Sequence, residues 1–170
     1  MKEILIVDGY NIIGAWKELR KLKDTDLQSA RDVLIDKMAD YQGFTGIKVI
    51  IVFDAYYVQG IEKKTNQAKV EVIFTRKNQT ADEKIEQLAI ELREIDTSIS
   101  VATSDYTEQW VIFAQGALRK SARELEIEVE LMEGQVRRRI QEQKEQKGAF
   151  QSRYNKEITE KLEKLRRGEL

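Results

Sequence analysis

An α/β layer fold with a mostly parallel central sheet is predicted by three features of the 170-residue chain: short β-branched runs that stop at an Asp, helical periods between them, and the alternation of the two. Residues 3–7 and 48–53 are apolar at nearly every position, as expected of strands buried on both faces beneath helices. Alternating strands and helices imply right-handed crossovers around one sheet. A single core suits a chain of this length, because domains commonly run to roughly 100–200 residues.

The first strand, residues 3–7, ends abruptly at Asp8-Gly9. Leu27, Ala30, Val33, Leu34, Met38 and Tyr41 then recur at the spacing of one helix face. Residues 48–53 (KVIIVF) form the second strand and stop at Asp54. Residues 55–68 follow neither period, so Lys63, Lys64 and Lys69 read as part of an exposed loop. The third strand is residues 70–75, backed by a helix face of Ile85, Leu88, Ala89, Leu92 and Ile95. The fourth, residues 100–103, runs into Ser104-Asp105. Residues 106–115 predict a short helix, Gly116 a break, and residues 121 to about 146 a long helix with Leu125, Val129 and Met132 spaced for packing. Apolar residues then thin to Val136, Ile140 and Phe150, and residues 154–167 regain Ile158, Leu162 and Leu165. We therefore expect a sheet domain over 1–132 and a basic helical extension over 133–170. Trp16 and Trp110, set among helical apolar residues, are expected in the core.

Charge supports that division. The net charge of −1 hides 11 Lys/Arg against 7 Asp/Glu in residues 133–170, and 18 against 23 before them. A basic arm on an acidic body is compatible with a nucleic-acid partner. With no Cys and no His, thiol nucleophiles, imidazole bases and N/S-type zinc sites are excluded, so any metal is a hard, oxygen-loving cation. No GxxxxGK[ST] or GxGxxG motif occurs, which argues against a nucleotide cofactor. The initial apolar run is too short for a signal peptide and nothing approaches the ~18 apolar residues of a membrane span. A cytoplasmic protein is expected.

Ligands of open parallel sheets bind beyond the carboxyl ends of the strands. Asp8, Asp54 and Asp105 each follow a strand there, and Asp82 lies in the first helical turn after the third. Any one of them has an ordinary reading: Asp is common in turns, and Thr80–Glu83 matches a capping box. The set says more. Two carboxylates ~4 Å apart repel by about 4 kcal/mol at an effective dielectric near 20, so convergence calls for Mg²⁺, Mn²⁺ or raised pKa values. Such an ion suits phosphodiester hydrolysis. Asn11 either orients a water or phosphate or merely caps the first helix, and Gly9 would let the backbone approach a substrate. A phosphoryl receiver built on Asp8 and Asp54 is a weaker fit, because no clear Lys follows a fifth strand.

Asp8-Gly-Tyr-Asn11, Val52-Phe-Asp54, Val72-Ile-Phe-Thr75, Thr80-Ala-Asp82, Ala102-Thr-Ser-Asp105-Tyr and Gly116-Ala-Leu-Arg-Lys-Ser-Ala-Arg-Glu124 together resemble the YacP-type branch of the NYN domain family, relatives of PIN nucleases. The resemblance extends loosely to Arg166-Arg-Gly168. It implies a PIN-like (NYN), Rossmann-like sandwich and metal-dependent RNA cleavage, with ribosome-associated cleavage of mRNA during translation. It assigns the acidic positions to Asp8, Asp54, Asp82 and Asp105, with Asn11 as auxiliary, and we take Asp8, Asp82 and Asp105 as the metal ligands. The alternative class is a non-catalytic RNA- or ribosome-binding module on the same fold.

A nuclease needs positive charge to hold the RNA backbone. Lys63, Lys64, Lys69, Arg76 and Lys77 form one candidate group and Arg119, Lys120 and Arg123 a second, against the plain readings of a solvated loop and a Ser121 capping box. Arg137, Arg138 and Arg139 are candidates for ribosome docking, although interspersed Glu residues also fit a charged surface helix. Tyr10, Tyr56 and Tyr57 follow strand ends, where they either stack on an unpaired base or pack at the rim.

Overall fold

The computed structural model describes residues 1–55, 63–67, 69–107 and 109–169. Their order is β1 (Lys2–Asp8), α1 (Gly9–Ala15), α2 (Lys17–Thr25), α3 (Leu27–Thr45), β2 (Lys48–Phe53), β3 (Lys63–Gln67), β4 (Val70–Phe74), α4 (Ala81–Glu91), β5 (Thr97–Ala102), α5 (Gln109–Ala114), β6 (Leu118–Lys120) and α6 (Ala122–Arg166). Met1–Val129 form one compact unit and Glu130–Leu170 a second.

In the first unit the strands lie in the order β3-β4-β2-β1-β5-β6. All neighbours are parallel except β3, which pairs antiparallel with β4. The chain builds outward from β1 to β4 and then returns past β1 to β5. Right-handed crossovers in opposite directions put the intervening helices on opposite faces. Accordingly Ile4 and Ile6 of β1 share a buried cluster with Ile85, Leu88 and Ala89 of α4 and Ile112 of α5, while α1 and α3 also pack on the sheet. Strand order reverses between β1 and β5, which fixes the ligand crevice beyond their carboxyl ends.

Polar contacts, one of them fully buried, tie this unit together. Trp16 lies in the core as expected, and its Nε1 donates to the Ala122 carbonyl at 2.8 Å. The Tyr41 hydroxyl donates to Glu128 Oε2 at 2.8 Å, and Lys120 Nζ donates to both Glu128 oxygens at the same distance. Burial and the Glu128 carboxylate push the Tyr41 pKa up.

Several expectations are corrected. Part of the stretch read as a loop is the edge strand β3, whose KKTNQ sequence is polar at every position and so carries no hydrophobic period. It turns into β4 through Lys69, a non-glycine residue at φ 70°. Residues 118–120, read only as a basic group, form strand β6 beside β5. Helix α4 ends at Glu91, leaving Ile95 exposed. Trp110 is not core: it is 79% exposed. The long helix does not stop near residue 146 but runs as α6 to Arg166, because Glu, Gln, Lys and Arg sustain a helix without an apolar face. In the second unit Phe150 and Tyr154 stack along this helix, with ring centroids 6.3 Å apart.

Candidate active site

Strand register assembles the site. Asp8 stands level with Val52 of β2, and Val7 with Ala102 of β5, so the residues that follow those strands emerge side by side. Alternation along β1 sends Asp8 to the Ile4 and Ile6 face, towards α4. Only 7% of Asp8 is exposed. Its pKa is pushed up to about 7, first by loss of hydration and next by the charge of Asp82, with smaller contributions from Asp105 and Asp54; the backbone N–H of Asn11 acts against them. The four carboxylates thus share one electrostatic field.

They do not share one coordination shell. Among the described residues, no three carboxylates are arranged to hold a single metal ion. Asp54 Oδ2 accepts from the Ala81 N–H at 3.4 Å, at the start of α4. Asp82 is exposed in the next position, above a capping box in which the Thr80 and Glu83 side chains each accept from the other's backbone N–H. Asp105 Oδ1 accepts from Thr107 N at 2.8 Å and from Thr107 Oγ1 at 2.7 Å, and these bonds with the nearby Arg119 charge lower its pKa. One buried carboxylate of raised pKa beside a second is nevertheless a fitting place for Mg²⁺ or Mn²⁺, which are held by one or two carboxylates and otherwise by water.

Asn11 Oδ1 accepts from the Ser104 N–H at 2.6 Å, so this side chain pins the loop after β5 to the first turn of α1. Gly9 is required by packing: a Cβ there would sit 2.3 Å from Phe53 Cε1. Two buried threonines close the strand ends. Thr75 Oγ1 accepts from Ala55 N at 2.9 Å, and Thr103 Oγ1 from Asp105 N at 3.1 Å. A Thr directly after an apolar run is the sequence signal for this role. Lys84 is only 8% exposed and belongs to no motif, and its sequence signal is its position on the face of α4 shared with Ala81, Ile85 and Leu88.

The basic candidates are scattered. Arg119 lies over the Tyr106 ring at 4.2 Å, and its Nε is buried without a hydrogen-bond partner among the described residues. Lys120 is committed to Glu128, and Arg123 pairs with Glu126 at 2.9 Å. Ser121 and Glu124 form the reciprocal capping bonds at the head of α6. Arg76 and Lys77 are exposed just past β4, and Lys69 precedes it with its carbonyl accepting from Gln42. Lys63 and Lys64 belong to the backbone of β3. Tyr10 packs on Phe53, with centroids 5.0 Å apart, and its hydroxyl accepts from Arg31 at 3.0 Å. Tyr56 and Tyr57 lie outside the described residues. Arg137, Arg138 and Arg139 are exposed on the helix of the second unit.

A mostly parallel central sheet with carboxylates gathered at its switch point defines a doubly wound, Rossmann-like α/β protein. The chain belongs to the YacP-like NYN domain family, whose sequence model matches residues 5–167. It is 56% identical to YacP of Bacillus subtilis (strain 168) over 168 residues, 99% of each chain. It is also similar to the crystal structure of Rae1 (YacP) from Bacillus subtilis, with TM-score 0.76 and 57% identity, covering 98% of this chain and 96% of that one. The crystal structure of a tryptophan-to-leucine mutant of that protein matches at TM-score 0.74 and 59% identity over 84% and 83% of the chains.

Proposed function

We propose that the protein is a metal-dependent endoribonuclease that cleaves mRNA at the translating ribosome. The observation that carries the nuclease reading is the buried Asp8, held in the field of Asp82, Asp105 and Asp54 at the switch point of an NYN-family sheet. Asp8 and Asp82 are the principal candidates to hold Mg²⁺ or Mn²⁺, with Asp105 beside them. When bound, such an ion supplies a Lewis acid that makes water nucleophilic near neutral pH and offsets charge on the phosphodiester.

The chain's own residues set the stage. Asn11 holds the β5 loop against α1, and the Thr107 hydrogen bonds, with the Arg119 charge beside them, favour the charged form of Asp105. Asp54 steadies the first turn of α4 and hence the position of Asp82. No His is present to act as acid or base for attack by the RNA 2′-hydroxyl, so water is the nucleophile. In-line attack on phosphorus with departure of the 3′-oxygen leaves a 5′-phosphate downstream and a 3′-hydroxyl upstream. The ribosome as the place of action follows from the family resemblance, and exposed Arg137, Arg138 and Arg139 are the proposed docking residues. Among the described residues no helix is long and apolar enough to cross a membrane.

The test is cleavage of translated and free mRNA by wild type and Asp8→Asn, with and without chelator. Wild type should cut in Mg²⁺ or Mn²⁺, stop in EDTA and yield 5′-phosphate ends, while Asp8→Asn should be inert. Cyclic 2′,3′-phosphate ends or full activity in chelator would overturn the chemistry. Ribosome binding without cleavage under any condition would establish the binding module instead.

A further inference from the structure

Building on the nuclease reading, we infer that the cavity between α4 and α5, beside Asp82, receives one unpaired base of the RNA and favours bases with an exocyclic amino group, guanine above all. The cavity measures about 260 Å³, close to the lower end of the roughly 300–1,000 Å³ of small-molecule sites, which suits a single base. Its apolar lining comes from Ile85, Ala89, Val111 and Ile112, a surface suited to the face of an aromatic ring. Its polar groups include Glu86 on α4 and Gln115 just after α5.

Charge decides what enters. Asp82, Glu83 and Glu86 all border the cavity, so a phosphate is repelled and a neutral group rich in N–H donors is favoured. Glu86 and Gln115 are both half-buried, and their mutual contact is a long 3.4 Å, weak enough for an incoming base edge to replace it. Guanine offers a carboxylate two adjacent donors, N1–H and the N2 amino group. Adenine and cytosine each offer one amino group. Uracil offers only N3–H between two carbonyl oxygens, which the carboxylates repel.

The surroundings fit a single strand. Trp110 and Tyr106 are 79% and 72% exposed on the same segment, and the Arg119 guanidinium lies over Tyr106. Exposed aromatic faces with a cation are the usual track for stacked bases and their phosphates. Contiguity with Asp82 puts the cavity next to the proposed cleavage centre, so its occupant is a nucleotide close to the scissile bond.

The experiment uses full-length Asp8→Asn, which binds without turnover, titrated with short single-stranded oligonucleotides that differ at one base. Methyl NMR of Ile85, Val111 and Ile112 reports occupancy, and fluorescence anisotropy reports affinity. A guanine at the variable position should shift those methyls and bind about tenfold tighter than uracil, as expected for one bidentate base contact. Val111→Trp, which fills the mouth from an exposed position, should abolish the shifts of the Ile85 and Ile112 methyls. Glu86→Gln, whose amide also has a donor for uracil, should shrink the guanine preference to within about threefold. Cleavage by wild type with no oligonucleotide moving these methyls would overturn the base site and leave the nuclease reading standing. Methyl shifts produced by Lys- or Arg-containing peptides and by no oligonucleotide would overturn it in favour of a protein side chain. If wild type cut no RNA, the nuclease reading would fall, and the same titration would still decide whether the cavity takes a base.

Discussion

Replacing Asp8 by Asn should stabilise the metal-free protein while abolishing the proposed activity. Asp8 is 7% exposed, and its pKa rises from 3.8 to about 7 in the folded chain. That difference corresponds to about 4 kcal/mol at about 1.4 kcal/mol per unit. The folded state holds its proton more tightly than the unfolded one, so between about pH 4 and 7 stability falls as pH rises. Above pH 7 the whole penalty applies, and below pH 4 it is absent. Asparagine resembles the protonated form and escapes the penalty, although it accepts less well from the Asn11 N–H that favours the carboxylate. A net gain of about 2–3 kcal/mol at pH 8 should raise Tm by roughly 5–10 °C. The assay is thermal melting of both proteins in chelator at pH 4.5 and pH 8. The variant's advantage should be present at pH 8 and nearly vanish at pH 4.5. Equal Tm differences at both pH values, or a less stable variant at pH 8, would refute the reading of Asp8 as a buried carboxylate held in a negative field.

Gly9→Ala drives a methyl to 2.3 Å from the fully buried Phe53 ring and should cost about 1–3 kcal/mol in urea unfolding; an unchanged midpoint would show that the ring moves freely. Trp16→Phe leaves the Ala122 carbonyl without its 2.8 Å donor and should lower stability by about 1–3 kcal/mol. Reversal of Arg137, Arg138 and Arg139 to Glu should weaken ribosome association and flatten its salt dependence, measured by co-sedimentation across a salt series, with little change in cleavage of short free RNA. Unaltered sedimentation at low salt would remove these residues from the docking surface.

How legible the molecule is in its sequence depends on which signal each residue carries. Strands β1 and β2 stand out because burial of nearly every side chain makes each an almost continuous apolar run, and β4 keeps such a run interrupted by Glu71. Strand β3 is an edge with no need of apolar residues, and β6 is three residues of a basic segment held by β5. Neither has a period long enough to detect. Trp110 misleads because its neighbours Val111 and Ile112 suggest a buried face, whereas the short α5 buries only Ile112. In the candidate site, Asp8, Asp54 and Asp105 are conspicuous because each closes or follows an apolar strand. The Asn11 contact with Ser104 joins residues 93 apart and depends on strand order, which no local pattern encodes. Lys84 is in sequence an ordinary helical lysine, and its burial comes from the packing of α4 on the sheet.

The central place of β1 also bears on when, during synthesis, such a site comes into being. The first strand made is flanked by β2 on one side and by β5, residues 97–102, on the other. A nascent chain halted before Thr97 lacks β5, the Ser104 contact that restrains Asn11, and Asp105 itself. Trp16 waits still longer, for Ala122, which lies 106 residues downstream. Closure of such distant contacts is slow compared with local helix formation, and domains complete folding only as their last partners emerge. A chain still being translated therefore carries its earliest acidic residue without the surroundings that would make it useful. A protein proposed to cut messages on the ribosome thus completes its own acidic site only after most of its sheet has been made.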